Sequence, residues 1–327
     1  MKKFLFETVL LFTLVALTVN YINNLDKPPR VKQILSIDKK LDMINLGTSH
    51  GNNFNLSGLS INGKSLNRAG NTLYYDLQNY KFVKKHLADS AIVLLPISYF
   101  AFGLDENRAD KGTDKSFVNE FYEYLPNSAI YDYSAKRDIS LKVNRIQKNF
   151  RSLFLEKKKA TKKATKKKTT KNEATKKKKV VVFDTVAHAE MLKDFAIKRV
   201  VHHKKIGSFV PPEKNINYLN TLIEDAKQSG FRPVLITVPY YKEYAERFEA
   251  DWLAENYDQY IVALSKTYDI PYLDYGIDNR FSFSPELFKN SDHLNKKGIV
   301  AFNKILFADL IQLGLISEDD LRQKKKK

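Results

Sequence analysis

The chain has 327 residues, enough for one large core or two smaller ones, and its 43% hydrophobic and 12% aromatic content is that of a globular protein. The absence of cysteine excludes disulfides, thiolate metal sites, a cysteine nucleophile and a lipidated N-terminal cysteine. The formal charge of +18 invites a nucleic-acid function, but thirteen lysines against one glutamate lie between positions 157 and 179 and four more occupy 324–327, so the remainder is close to neutral. Lysine and threonine runs of this kind are solvated segments. This one lacks the arginines and aromatics that would stack on bases, so no nucleic-acid partner is expected.

The N-terminus reads "FLFETVLLFTLVALTV" after Lys2 and Lys3, sixteen residues with only Glu7 charged. A full span needs roughly 20 residues, and Asn20, Tyr21 and Ile22 extend this one into the interface. No small-x-small cleavage site follows, so residues 1–24 are expected to be an uncleaved signal anchor with the body outside the cytoplasm. Lys27, Arg30 and Lys32 on the far flank oppose that orientation. Pro28 and Pro29 predict a helix-free stalk over 25–40.

From there the pattern alternates. "LDMINLG" ends a first strand at Gly47, and Leu73, Leu77 and Tyr80 mark an amphipathic helix. "SAIVLLPIS", 90–98, is a continuous apolar run, as expected of a strand covered on both faces of a parallel sheet. "INYLNTLIEDAKQSG" forms a helix closed by Gly230, and "RPVLITVP" follows as a strand. A long helix is expected over about 243–268, a short strand at "IPYLDY", and a last helix at "KGIVAFNKILFADLIQLG". Strand and helix in alternation predict an α/β domain over 41–320, built on a doubly wound parallel sheet in a flavodoxin-like α/β/α sandwich. The rhythm breaks between about 104 and 210, which is expected to be a helical insertion on that domain. It has helix candidates at 117–125, 141–155 and 188–203 and a disordered lysine-rich loop at 157–179; a basic tail covers 321–327.

In open α/β sheets ligands bind beyond the carboxyl ends of the strands. Ser49, in "INLGTSHGNN", lies two residues past the end of the first strand. "FKNSDHLNKKG", ending at Gly298, lies between the last strand and the last helix and places Asp292 and His293 at the same edge. A serine and a histidine in these two places meet over the sheet, as a serine nucleophile with a histidine base requires.

These stretches resemble the SGNH (GDSL-like) hydrolases: "NLGTSHG" is similar to their first block and "DHLNKKG" to their last, and the likeness spans most of 40–313 apart from the insertion. The resemblance implies Ser49 as nucleophile and His293 as general base, with no metal and no cofactor. With its N-terminal anchor the chain resembles the membrane-tethered branch. Some members of that branch work beside membrane-bound acyltransferases, placing acyl groups on cell-envelope glycans or polymers. The family's acid lies three residues before the histidine, where this chain has Asn290, so either Asn290 or the adjacent Asp292 is left to orient His293. For the oxyanion hole the resemblance implies the Ser49 amide and Gly70, with Asn67 or Asn71 nearby, and Ser98 where the third block's asparagine is missing. His50 is expected to shape the pocket or donate a hydrogen bond. His188, His202 and His203 have no carboxylate at metal spacing and are expected at the surface, while Tyr240 and Tyr241 either line the site or pack beside it. Two functions therefore stand: an anchored serine esterase or O-acyltransferase, and a degenerate, non-enzymatic scaffold or polymer-binding subunit of an envelope acylation complex.

Overall fold

The computed structural model of the chain describes residues 27–56, 60–105, 116–155 and 185–321, with scattered helical positions between 8 and 21. Most of the expected anchor, the lysine-rich loop at 157–179 and residues 322–327 of the basic tail lie outside the described residues. Among the described residues no helix is long and apolar enough to cross a membrane. The chain divides into two compact units, one of residues 1–36 and 118–182 and one of 37–117 and 183–327.

In the first unit, Pro28 and Pro29 do not break a helix but open one. Pro29 starts the helix Pro29–Leu35, where its missing N–H costs nothing, and Val31 and Ile34 are buried. Residues 25–40 are therefore not a bare stalk. Arg30 Nε lies 2.8 Å from Glu120 Oε1, and the Tyr122 and Tyr133 rings stack at 5.5 Å ahead of the helix Ala135–Leu155. The stretch read as one insertion is thus shared. Residues 118–182 group with the N-terminal segment, whereas the helix that starts at Thr185 belongs to the second unit.

The second unit runs β1 (Leu41–Asn45), β2 (Gly63–Ser65), α1 (Leu73–Val83), β3 (Leu87–Pro96), α2 (Thr185–Ile206), α3 (Pro212–Gln228) and β4 (Arg232–Thr237). It continues with α4 (Gln259–Tyr268), β5 (Tyr272–Asp274), a small hairpin of β6 (Phe288–Asn290) and β7 (His293–Leu294), and α5 (Lys296–Gln312). The five main strands are all parallel in the order β2-β1-β3-β4-β5, the doubly wound flavodoxin-type order. Met43, Ile44, Val93, Leu94, Leu235 and Ile236 are buried in the centre of the sheet, which is why those strands read as unbroken apolar runs. β2 gave no such signal, because its three residues are Gly63, Lys64 and Ser65, all half-exposed. The helix expected over 243–268 is interrupted. The chain leaves it after Lys242–Ala245 to bury Phe248 against Tyr99 and Tyr244, re-enters at Ala250–Leu253 and passes through a π-turn at Ala254–Asp258.

This strand order reverses direction between β1 and β3, which opens the crevice where ligands bind in such sheets. α1 packs on α3, and α3 on α4. α5 closes over the turn after β1, where Asn303 Nδ2 donates to Asn53 O at 2.6 Å and its Oδ1 accepts from Asn55 N at 2.8 Å. Gly47 makes the exit from β1 possible. It adopts φ +93°, and a Cβ there would stand 2.8 Å from Pro96 O of β3. Gly47→Ala is expected to lower the unfolding free energy by about 2 kcal/mol or more, the left-handed penalty plus a backbone contact. Urea unfolding checks this, and an unchanged midpoint would show that the turn tolerates a side chain.

Candidate active site

Two loops meet over the carboxyl ends of β1 and β3. The first is the 3-10 turn Ser49–Asn53, capped by Thr48, whose Oγ1 accepts from His50 N at 3.3 Å. Its base is fixed by Gly47 N donating to Asp76 Oδ1 at 2.8 Å and by Asn67 Nδ2 donating to Thr48 O at 3.1 Å. The second loop is the β6–β7 hairpin, whose register sets Asn290 opposite His293. The sequence expectation that Ser49 and His293 meet is realised: His293 Nε2 lies 2.9 Å from Ser49 Oγ. At the other side of the ring, Nδ1 lies 3.1 Å from Asn290 Oδ1, with Asp292 Oδ1 at 3.3 Å but outside hydrogen-bond geometry. Of the two residues the sequence left open, Asn290 makes the hydrogen bond. With Nε2 accepting from the Ser49 hydroxyl, Nδ1–H donates to that amide oxygen.

Behind His293 lies a buried network. Asp292 is fully buried, and its Oδ2 accepts from Arg199 Nη2 at 2.8 Å and from His50 Nε2 at 3.3 Å. Burial alone would raise the pKa of this carboxyl, but the His293 and His50 imidazoles beside it hold it well below the usual carboxylate range. His50 is pushed down to about 4 by burial, which its hydrogen bond to Asp292 only partly offsets, so it is neutral. Its Nε2–H is committed to Asp292, which leaves Nδ1 as acceptor, and the Ser98 hydroxyl donates to it at 2.7 Å. Thr48 Oγ1 in turn lies 3.2 Å from Ser98 Oγ. His50 is thus assigned as a hydrogen-bond donor to Asp292.

The Ser98 hydroxyl is not free for the oxyanion role foreseen for it. The chain after β3 turns inward, so Ser98 is buried beneath His50 with its hydroxyl already engaged. A cavity of about 180 Å³ opens beside Ser49, lined on one side by Gly70 and Asn71 and on the other by Phe100, Leu104 and Arg199. Gly70 sits in this wall at φ +77°. Neither its amide nor that of Ser49 is spent on a backbone acceptor among the described residues.

The histidines expected at the surface are not all there. His203 is buried, bonded through Nδ1 to Tyr244 Oη at 2.6 Å and held well below its ordinary range by burial. His188 is half-buried with Nε2 3.0 Å from Phe288 O, and His202 lines the cavity. They are drawn in because α2 packs one face inward through Leu192, Ala196 and Val200. Tyr240 and Tyr241 are both buried and neither lines the cavity; Tyr240 Oη lies 3.4 Å from His50 Nδ1. Arg199 was not foreseen. The apolar spacing of Leu192, Ala196 and Val200 borders it on a buried helical face, and that was its only signal. His50, Asp292 and His293 bring potential metal-binding atoms within 4.8 Å of one another. The Arg199 guanidinium already supplies positive charge at Asp292, so these residues are accounted for by hydrogen bonding.

The lowered His50 sets a sign for acid stability. The unfolded histidine takes up a proton near pH 6.5 while the folded one stays neutral down to about 4, so stability is present above that window and falls as pH drops through it. The loss is about 3 kcal/mol at most across the window. His50→Gln is expected to flatten the pH dependence of the urea midpoint between those limits, and an equally steep slope in the variant would contradict this assignment.

No family model matches the chain, and no curated protein matches it. Among solved structures it is similar to a Bacteroides fragilis protein labelled a "putative acylhydrolase", at 11% identity over 90% of this chain and 98% of that one, with a TM-score of 0.39. A likeness at that level adds nothing to what the strand order already establishes.

Proposed function

We propose that this chain is a serine esterase or O-acyltransferase of SGNH type, acting through Ser49 and His293. The observation that carries the reading is the 2.9 Å contact between Ser49 Oγ and His293 Nε2 at the switch point of the sheet. Ser49 Oγ attacks an ester carbonyl while His293 Nε2 takes its proton. The oxyanion forms toward the amides of Ser49 and Gly70. His293 then returns the proton to the departing alkoxide, and the acyl group on Ser49 passes to water or to a sugar hydroxyl. The cavity, well below the volume that drug-sized ligands occupy, and its Phe100 and Leu104 wall suit a short acyl group. The substrate is taken to be an acylated glycan or polymer of the cell envelope, with a membrane-bound acyltransferase as partner. The body is held outside the cytoplasm by the N-terminal segment. The exposed apolar side chains of Leu11, Phe12, Leu14 and Leu17 support that tether.

Two observations favour the competing scaffold reading: an amide stands where the family's acid would, and Ser98 is spent on His50. A fluorophosphonate probe on the full chain, read by intact mass, separates the two. The expected result is a single adduct that Ser49→Ala abolishes and His293→Ala slows by about a thousandfold. A folded protein that forms no adduct over about pH 6 to 9 would leave the scaffold.

A further inference from the structure

We propose that the site divides the work of the missing triad acid between two residues. Asn290 orients His293, and Asp292 supplies the negative charge that stabilises His293 once it is protonated. Arg199 and His50 act as positioning residues for that carboxylate. The inference rests on the Ser49–His293 reading above.

An amide oxygen can hold an imidazole in one tautomer but offers no countercharge to an imidazolium. Asp292 does. Its Oδ2 is pinned by Arg199 Nη2 and Nε, at 2.8 and 3.3 Å, and by His50 Nε2 at 3.3 Å. This leaves Oδ1 buried, with no hydrogen-bond partner among the described residues, 3.3 Å from His293 Nδ1. Nδ1 thus bonds to an amide oxygen at 3.1 Å with an unbonded carboxylate oxygen only 0.2 Å farther away, and gaining a proton at Nε2 tips it toward the charge. A buried acceptor without a donor is otherwise costly, and a small rotation of the ring relieves it. The proton taken from Ser49 is held by His293 and does not pass to Asp292, which remains ionised because the donors around it hold it so.

The titratable groups around His293 otherwise keep their charge state. His50 and His203 are neutral because burial lowers them, Tyr240 and Tyr244 stay protonated because burial raises them, and Arg199 is cationic. His202 faces the same cavity from α2.

The test is a variant set on the full chain, assayed for kcat and KM on a small activated ester across pH, with the rate of fluorophosphonate labelling beside it. Asp292→Asn is expected to lower kcat about a hundredfold or more with little change in KM, and to move the acid limb of the rate profile to lower pH. Asn290→Ala is expected to cost no more than about tenfold and leave the profile in place. Asn290→Asp added to Asp292→Asn returns a carboxylate to the ring and is expected to restore most of the lost rate, which a merely structural role for Asp292 would not allow. Arg199→Met is expected to follow Asp292→Asn in direction. A full-rate Asp292→Asn variant, or a failed rescue in a double variant that melts like wild type, overturns the division of labour. If wild type itself never labels at Ser49, the enzymatic reading fails and this inference falls with it; labelling in wild type with equal labelling in Asp292→Asn sinks this inference alone.

Discussion

The site is organised around one buried negative charge. A carboxylate with no solvent exposure is tolerated only where donors surround it, and Asp292 has the Arg199 guanidinium and the His50 ring on a single oxygen. Each of those donors is fixed by something further out. His50 is held in one tautomer by the Ser98 hydroxyl below it, and Ser98 is reached by Thr48, the cap of the turn that begins with Ser49. The hydrogen bonds therefore close a path from the base of the Ser49 turn to the loop that carries His293, and neither can shift alone. Breaking one member leaves a buried polar group unpaired, which costs more than the bond itself contributed.

The sheet makes this network possible by where it reverses. Parallel strands bring the residues after β1 and after β3 to one edge, and the change of winding between them leaves room for the hairpin that carries His293. Gly47 lets β1 turn sharply against Pro96, so the turn begins within reach of both the sheet edge and the hairpin.

Much of this was legible in the sequence, for identifiable reasons. β1, β3 and β4 are buried on both faces and so appear as apolar runs, and the carboxyl-edge rule then places Ser49 and His293 without any contact being known. What escaped has equally physical causes. β2 is a three-residue edge strand without apolar character. Pro29 was taken for a helix breaker although the first helical position accepts proline readily. Arg199 lies 93 residues from its partner, and nothing in a local pattern reveals a pairing made by topology. Ser98 was assigned by its place after a strand, but a hydroxyl's role depends on the direction in which the chain turns next, which composition does not encode.

Helix α2 braces the β6–β7 hairpin at two points three turns apart. His188 reaches the carbonyl of Phe288, and Arg199 reaches the carboxylate of Asp292. The sheet does not depend on either contact, whereas the geometry at His293 depends on both. Local openings in proteins occur at free energies well below that of global unfolding, and a peripheral helix is the kind of element that opens first. The fraction of molecules in which Ser49 and His293 keep their contact is then set by how long α2 stays docked. Heat or denaturant would silence the site while the five-stranded core still held its amide protons.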